Sequence, residues 1–308
     1  MENLKDLPQS LFTRAEVDSG EKEKISRPNL SSLQDGWIRL KQNKAAVVSL
    51  FILLVIIGFA IFGPIFSQYD YAKTDYTMAF QSPSAQHPFG TDKFGRDQFA
   101  RIWYGTRISL LIALAAACLD LFVGVTYGAV SALVGGKVDA VMQRVIEVLV
   151  GIPSLIIIIL LMMVMPAGIG TIIVALAITG WVNMARLVRA RILQLKNQEF
   201  VLAARVLGTS QRGIILKHLI PNTVGVIVIN AMFTIPSAIF TEAFLSFIGI
   251  GLSEPKASLG VLINTGYSVL HNYPYLLICP AIVIILIMVC FSILGDGLRD
   301  ALDPRMSK

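Results

Sequence analysis

The stretch that decides the fold is EFVLAARVLGTSQRGIILKHLIPN, residues 199–222, a basic and glycine-interrupted segment between two strongly apolar runs. It stands in a chain of 308 residues, of which 55% are hydrophobic and 15% are charged, and the mean hydropathy is +0.69. A soluble domain has a smaller apolar share and distributes it more evenly. We therefore predict an all-α, polytopic membrane protein in which residues 199–222 lie outside the bilayer.

Six apolar runs approach or exceed the roughly 20 residues that a helix needs to cross the hydrocarbon core. Four of them are continuous, whereas the third and the fifth contain Pro153 and Pro236. The runs are 45–67, 108–134, 148–165, 171–188, 224–250 and 275–294. We predict one transmembrane helix for each run, with the third helix bent at Pro153 because proline cannot continue a straight helix.

The chain divides at the edges of these runs into four segments. We predict a cytoplasmic N-terminal tail with an interfacial helix over 1–45, a first transmembrane helix over 46–67, an external loop over 68–105, and a five-helix core over 106–308. The core includes a cytoplasmic loop over 191–222. The first apolar run is longer than the apolar part of a signal peptide, so we expect it to remain as an anchor.

The positions of the cations predict the orientation. With the N-terminus in the cytoplasm, twenty of the 26 Lys and Arg residues fall on the cytoplasmic side, as the positive-inside rule requires. We therefore expect both termini to be cytoplasmic. The net charge of +6 is explained by this bias, so we expect membrane lipid as a partner and no nucleic acid.

Residues 199–222 have the pattern of two short helices. Gly208 is a natural end for the first helix, Thr209 or Ser210 can cap the second, and Pro221 is expected to end it. Apolar residues recur on the first helix at helical spacing and predict one narrow apolar stripe. Its members are Phe200, Ala203, Ala204 and Leu207.

Two interpretations of this segment remain open at this point. A pair of short helices, apolar on one side and basic on the other, fits a groove in a partner protein. Basic amphipathic helices next to a membrane also often lie on anionic lipid headgroups. The periodicity alone does not separate the two interpretations.

The same segment resembles the cytoplasmic "EAA" loop of ABC-importer permeases. The matching residues are Leu202-Ala203-Ala204, then Gly208, then His218-Leu219-Ile220-Pro221, with the spacing of that loop. The chain departs from the pattern at Leu202, where the family usually has Glu, and at His218 and Ile220. Glu199, one helical turn earlier, is able to replace the missing carboxylate.

Three further stretches are similar to the dipeptide/oligopeptide/nickel subfamily of these permeases, so that the resemblance covers residues 37–308. They are HPFGTD at 87–92 with GRD at 95–97 and YGTRISL at 104–110, then TEAFLSFIGIG at 241–251, then GDGLRDALDP at 295–304. The long N-terminal tail and the extra first span resemble the "C"-type subunit. The lead-in QLKNQ at 194–198 is most like oligopeptide permeases.

The resemblance implies a type I ABC-importer permease fold in a prokaryotic cell membrane, and it implies the partners. They are a second homologous permease subunit, two ABC ATPase subunits and an extracytoplasmic substrate-binding protein. The residues expected to contact an ATPase subunit are Glu199, Ala203, Ala204, Gly208, His218 and Pro221. ATP and Mg would be bound by the partner ATPase subunits and no cofactor by this chain, because the sequence has no G-x-x-x-x-G-K-[ST] phosphate-binding loop.

Polar residues inside the spans are candidates for the pathway or for helix packing. Asp120 is near the middle of the second span, where we expect a helix-packing hydrogen bond; a proton relay or a partner for the amino terminus of a substrate is the alternative. Glu242 is far along the fifth helix, so we expect it near the outer surface, in an interfacial or a loop contact. Pro236 is expected to bend that helix, either to line the pathway or to accommodate packing.

Catalysis within this chain is not expected. His87, His218 and His271 have no metal-ligand spacing, and Cys118, Cys279 and Cys290 all lie in predicted spans. The function predicted is therefore that of a permease subunit of an ATP-driven importer of oligopeptides. Alternatives are nickel, dipeptide or glutathione transport by the same kind of subunit, or an ion-coupled secondary transporter with Asp120 as its coupling site.

Overall fold

The computed structural model describes residues 32–302, with side chains from Gly36 onward. Within that range the chain is almost entirely helical, with one isolated β-bridge and no strand. The helices are α1 (Ser32–Gln42), α2 (Lys44–Phe66), α3 (Gln98–Val134), α4 (Gly136–Gly151), α5 (Ser154–Val164), α6 (Ile169–Leu195), α7 (Glu199–Val206), α8 (Gln211–Ile214), α9 (Val224–Phe247), α10 (Leu259–Ser268) and α11 (Tyr275–Leu302). Residues 1–31 of the tail and interfacial helix predicted over 1–45, and residues 303–308 at the end of the chain, lie outside the described residues.

Five helical runs in the described range are long and apolar enough to cross a membrane. They are α2, α3, α6, the run Gln211–Phe247 that contains α8 and α9, and α11. The chain bends by 82° between α4 and α5. This bent pair forms a sixth crossing if it is counted as one span. Pro153 lies in the break, where its missing N–H and fixed φ prevent a straight helix. The polytopic all-α fold is confirmed, with the third span broken.

The second span begins earlier than the sequence predicts. Helix α3 has 37 residues and begins at Gln98, not at residue 106, so the expected loop 68–105 ends at residue 97. Asp97 is the reason, because its Oδ2 accepts a hydrogen bond from the Ala100 amide at 2.7 Å and caps the helix. Its Oδ1 lies 2.8 Å from Nδ1 of the buried His87, which fixes the carboxylate.

Helices α3 and α6 approach closely because of glycine. A Cβ on Gly124 would lie 2.6 Å from Cβ of Met184 and 2.8 Å from the carbonyl oxygen of Trp181. A Cβ on Gly128 would overlap the carbonyl oxygen of Ala185. Small residues four apart are a common contact between membrane helices, since packing and hydrogen bonds, not water exclusion, hold such helices together.

The two ends of the described chain lie at the same end of the helix bundle. A Cβ on Gly36 of α1 would lie 2.9 Å from Cδ2 of Leu302, the last residue of α11. Leu302 also faces Gly225 near the start of α9, at 3.9 Å from a Cβ placed there. We call this the terminal end. The segment that connects α6 to α9 lies there.

The opposite end carries an ordered loop, residues 67–97, which buried ion pairs hold in place. Arg96 Nε donates to Oδ2 of Asp92 at 2.7 Å, and both side chains are almost fully buried. Arg96 Nη2 also lies 3.4 Å from Oε1 of Glu254, in the connection between α9 and α10. The loop is therefore tied to a distant part of the chain at this end.

Candidate functional site

The connection between α6 and α9 folds as two short helices around Gly208, as the sequence predicts. Gly208 has φ +78°, which is a left-handed conformation that favours glycine. Its amide donates to the Arg205 carbonyl at 2.9 Å, and the Thr209 amide donates to the Ala204 carbonyl at 3.0 Å. This pair of hydrogen bonds is the usual glycine-terminated helix end. We call residues 199–222 the elbow.

The second short helix starts at the predicted cap. Ser210 Oγ accepts a hydrogen bond from the Gly213 amide at 3.2 Å. Both helices of the elbow rest on a buried apolar base that they share with α6 and α9. The base contains Val188, Ile192, Leu195, Val201, Ala204, Ile214, Leu219 and Ile227. The base fixes the position of the elbow against the membrane helices.

Pro221 does not end this helix, which corrects the prediction. The helix passes through a π-helical turn at Ile215–Leu219 and a 3₁₀ turn at Pro221–Thr223 into α9. The Ile220 amide donates to the Ile215 carbonyl, five residues earlier, at 2.9 Å. A wider turn of this kind leaves room for the proline ring, which in a regular helix clashes with the carbonyl four residues earlier.

The outer side of the elbow is an exposed apolar surface. Val206 and Leu207 are 87% and 85% exposed, which is unusual for such large apolar side chains. The exposed apolar residues, which we call the elbow surface, are Phe200, Leu202, Val206, Leu207 and Leu216. The exposed cations Arg205, Arg212 and Lys217 lie among them. The surface can bury apolar area and form ion pairs with an acidic, apolar groove.

The apolar stripe predicted for the first helix is divided between two faces. Phe200, Ala203 and Leu207 are exposed, whereas Ala204 is buried in the base of the elbow. Val201, which is not part of the predicted stripe, is fully buried in the base. Periodicity identified the helix but not which of its faces meets the rest of the chain.

The six residues predicted to contact a partner are brought together in the elbow, but not all of them are accessible. Glu199, Ala203, Gly208 and Pro221 are exposed. His218 is partly buried, with its ring centroid 6.5 Å from that of Phe200. Ala204 faces the base, so its small size serves packing within this chain.

An ion pair that the sequence did not indicate supports α6 where it approaches the elbow. Arg189 donates from Nε to Oδ1 of Asp139 at 2.7 Å and from Nη2 to Oδ2 at 2.6 Å. Ser131, near the end of α3, donates to Oδ1 of Asp139 at 2.5 Å. The contact joins α3, α4 and α6. The sequence does not show that these two residues, which lie on different helices, come together in the folded chain.

A cavity of about 620 Å³ lies between α3, the α4–α5 bend, α6 and α9. Its polar lining consists of side-chain hydroxyls and amides and one carboxyl group, and its apolar lining includes residues of the bend. The polar lining residues are Asp120, Ser154, Thr179, Asn183, Asn230, Thr234, Ser237 and Thr241. Pro236 is buried in α9 and does not line this cavity.

Asp120 is 5% exposed and lines the cavity. Its Oδ1 has no hydrogen-bond partner among the described residues, so the helix-packing hydrogen bond that we expected is not formed by this atom. The facing residue on α6 is Gly180, where a Cβ would overlap Oδ2 of Asp120. Glycine at this position leaves space for the carboxylate.

Glu242 is fully buried, and the expectation of an interfacial contact is wrong. Ser109 Oγ donates to its Oε2 at 2.9 Å, and Ser246 Oγ donates to its Oε1 at 2.9 Å. Ser109 Oγ also accepts the amide of Leu259, the first residue of α10, at 3.2 Å. Helix α10 was not predicted, and by packing against α3 and α9 it covers the position where Glu242 was expected to meet the surface.

No group of three or more His, Cys, Asp or Glu side chains suited to a metal ion occurs within residues 32–302. The described residues present an exposed elbow on a buried apolar base, and a cavity between membrane helices that is lined mostly by neutral side chains.

Two family patterns match the chain. The family described as "Binding-protein-dependent transport system inner membrane component" matches residues 124–308. The family described as "N-terminal TM domain of oligopeptide transport permease C" matches residues 31–83.

Several curated relatives match over nearly the whole chain. The oligopeptide transport system permease protein OppC of Bacillus subtilis is 48% identical over 99% of this chain and 100% of its own length. The dipeptide transport system permease protein DppC of the same organism is 47% identical over 98% of this chain and 95% of its own length.

Solved structures share the fold at lower identity. The MetNI methionine ABC transporter in inward-facing conformations gives a TM-score of 0.55 at 16% identity, over 65% of this chain and 94% of that chain. An amino acid ABC transporter with histidines gives 0.51 at 21% identity, over 64% of this chain and 92% of that chain. The chain belongs to the family of binding-protein-dependent transport system inner membrane components and is a multi-pass membrane transport subunit.

Proposed function

We propose that this chain is the permease subunit of an ATP-driven oligopeptide importer, in which the elbow transmits movement from ATPase subunits to the membrane helices. The observation that carries the proposal is the elbow surface, where large apolar side chains such as Leu207 are exposed on a buried base. Several large apolar side chains exposed within one short segment are typical of a protein contact. A segment that transmits movement to membrane helices must be packed firmly against them, and the buried base provides this packing.

The proposed orientation places the elbow in the cytoplasm, where ATP is available. Cations of the described residues are concentrated at the terminal end, among them Lys137, Arg186, Arg191 and Lys196, and the positive-inside rule assigns such an end to the cytoplasm. Both termini are then cytoplasmic. The loop 67–97 faces outward, where an extracytoplasmic binding protein delivers substrate.

The proposed assembly contains a second homologous permease subunit and two ATPase subunits. The cavity of about 620 Å³ is bounded by helices of this chain on one side, and a second permease subunit would complete the wall of the pathway. ATP and Mg are assigned to the ATPase subunits.

The proposed substrate class follows from the relatives. The Bacillus subtilis relative that is 48% identical is named as an oligopeptide transport permease. The one that is 47% identical is named as a dipeptide transport permease. Dipeptides are therefore the second candidate. Uptake of labelled di-, tri- and pentapeptides by the reconstituted importer separates the two substrate classes.

A photo-crosslinking experiment tests the elbow. A photoreactive amino acid replaces Leu207 in the complete importer, and an ATPase subunit is the expected crosslinked product. Val164 at the end of α5 serves as the matched control, because it is also 85% exposed but lies at the end of a membrane helix away from the elbow. Crosslinking of position 207 to lipid alone would contradict the proposal and support the headgroup interpretation.

A further inference from the structure

The cavity between α3, the α4–α5 bend, α6 and α9 contains one ionisable side chain. Among the described residues that line it, Asp120 is the only ionisable side chain. The remaining polar groups are neutral hydroxyls and amides, including those of Thr179, Asn183 and Asn230. Such a lining holds most of a passing molecule weakly, whereas the single carboxylate can select a group of opposite charge.

The carboxylate is built into the wall without a partner. Asp120 is only 5% exposed, and its Oδ1 has no hydrogen-bond partner within the described residues. Buried polar groups are nearly always hydrogen-bonded, and buried charges are nearly always paired. Gly180 provides the space that the carboxylate occupies, since any side chain there would overlap Oδ2.

A cation that donates hydrogen bonds would supply the missing partner. A protein ligand set for a metal ion is absent from the described residues, and a chain of ionisable groups that could relay protons is absent from the cavity lining. A peptide at neutral pH carries an α-ammonium group with three N–H donors. Its remaining backbone and side chains match the neutral amides and hydroxyls of the lining.

We propose that the Asp120 carboxylate binds the α-ammonium group of the peptide during its passage through the cavity. The inference rests on the proposed function as a peptide importer. It assigns to this chain a selection for a free amino terminus, in addition to any selection that a binding protein makes. A single charged contact holds one end of the peptide and leaves the length and side chains of the peptide free to vary.

The test measures uptake by proteoliposomes that contain the complete importer and its binding protein. A tripeptide with a free amino terminus is compared with its N-acetylated form, each supplied at the concentration that half-saturates the binding protein. The readout is the ratio of the two uptake rates, so that effects common to both peptides cancel. We expect Asp120→Asn, which keeps the size of the side chain, to lower this ratio about tenfold.

Two further variants keep the proposal falsifiable if Asp120→Asn assembles poorly. Gly180→Ala places a methyl group where Oδ2 lies and displaces the carboxylate without removing its charge, so the ratio should fall. Asn230→Ala removes a neutral polar group from the same cavity, and both peptides should change by the same factor.

The outcomes separate the subsite from the function. If the wild-type importer takes up no peptide, the proposed function fails and the subsite fails with it. If the wild type takes up peptide and Asp120→Asn leaves the ratio unchanged, or lowers both rates equally, the function stands and the ammonium subsite is overturned.

Discussion

Replacement of Gly208 by tryptophan should strongly weaken coupling without preventing the folding of this chain. The reason lies in the local geometry of the elbow. A Cβ at Gly208 would have no heavy atom within 4 Å, so a side chain there begins in open space on the exposed side of the elbow. The main cost to the fold is therefore the backbone conformation, with φ at +78°.

The size of both effects can be worked out. A non-glycine residue in the left-handed conformation costs roughly 1–2 kcal/mol, which is small against a typical folding stability of about 5–15 kcal/mol. An indole at a close-packed contact with an ATPase subunit is an overpacking change, which typically costs about 1–3 kcal/mol. Since about 1.4 kcal/mol corresponds to a factor of ten, we expect peptide uptake to fall by roughly fivefold to somewhat more than a hundredfold.

Gly249 provides a matched control for this substitution. It has φ +85°, a Cβ there would also have no heavy atom within 4 Å, and it ends α9 with the same pattern of hydrogen bonds, from the Ile250 amide to the Leu245 carbonyl at 3.0 Å. The backbone cost of a Gly249→Trp change is therefore the same as at Gly208. Gly249 differs from Gly208 in that it lies outside the elbow.

The assay combines membrane level, co-purification of the ATPase subunit and uptake of labelled peptide, with Gly208→Ala and Gly249→Ala as strain-only variants. The two alanine variants should retain most uptake. Gly208→Trp should lose the ATPase subunit, whereas Gly249→Trp should retain it. Retention of both ATPase subunit and uptake by a well-expressed Gly208→Trp variant would refute the coupling role of the elbow.

Three further predictions concern the helices that support these sites, each measured as thermal stability of the purified subunit in detergent. A double-mutant cycle with Arg189→Ala and Asp139→Ala should give a coupling of about 1–2 kcal/mol, because the pair is doubly hydrogen-bonded but still partly exposed; additive effects would count against the pairing. Glu242→Ala should destabilise by roughly 2–3 kcal/mol and Glu242→Gln by less, since glutamine can keep a hydrogen bond from a serine; equal effects would show that the hydrogen bonds do not matter. Gly124→Ala should cost about 1–3 kcal/mol through contact with α6, whereas Gly58→Ala, where a Cβ meets nothing, should be neutral or stabilising.

The features that the sequence predicts well are those encoded by neighbouring residues. The apolar runs require only a count of consecutive residues, and the bend at Pro153 follows from the chemistry of proline. Gly208 and Ser210 likewise carry local signals for a helix end and a helix start. These elements appear in the structure where the sequence places them.

The features that the sequence does not predict depend on distant residues. Glu242 was assigned to the surface from its position along the helix, but its partner Ser109 is 133 residues earlier in the chain. The face of α7 that packs against the rest of the chain was not predicted either, since both faces carry apolar residues: Val201 is buried and Phe200 is exposed. The sequence pattern predicts the helix, whereas tertiary contacts determine which of its faces is buried.

The π-helical turn at Ile215–Leu219 has a mechanical consequence. Because it lets the helix continue past Pro221, the second helix of the elbow is the first part of a run from Gln211 to Phe247, which has 37 residues. At a rise of about 1.5 Å per residue this lever is roughly 55 Å long. A tilt of about 5° applied at the elbow therefore displaces the far tip of the lever by about 5 Å, which is close to the pitch of one helical turn.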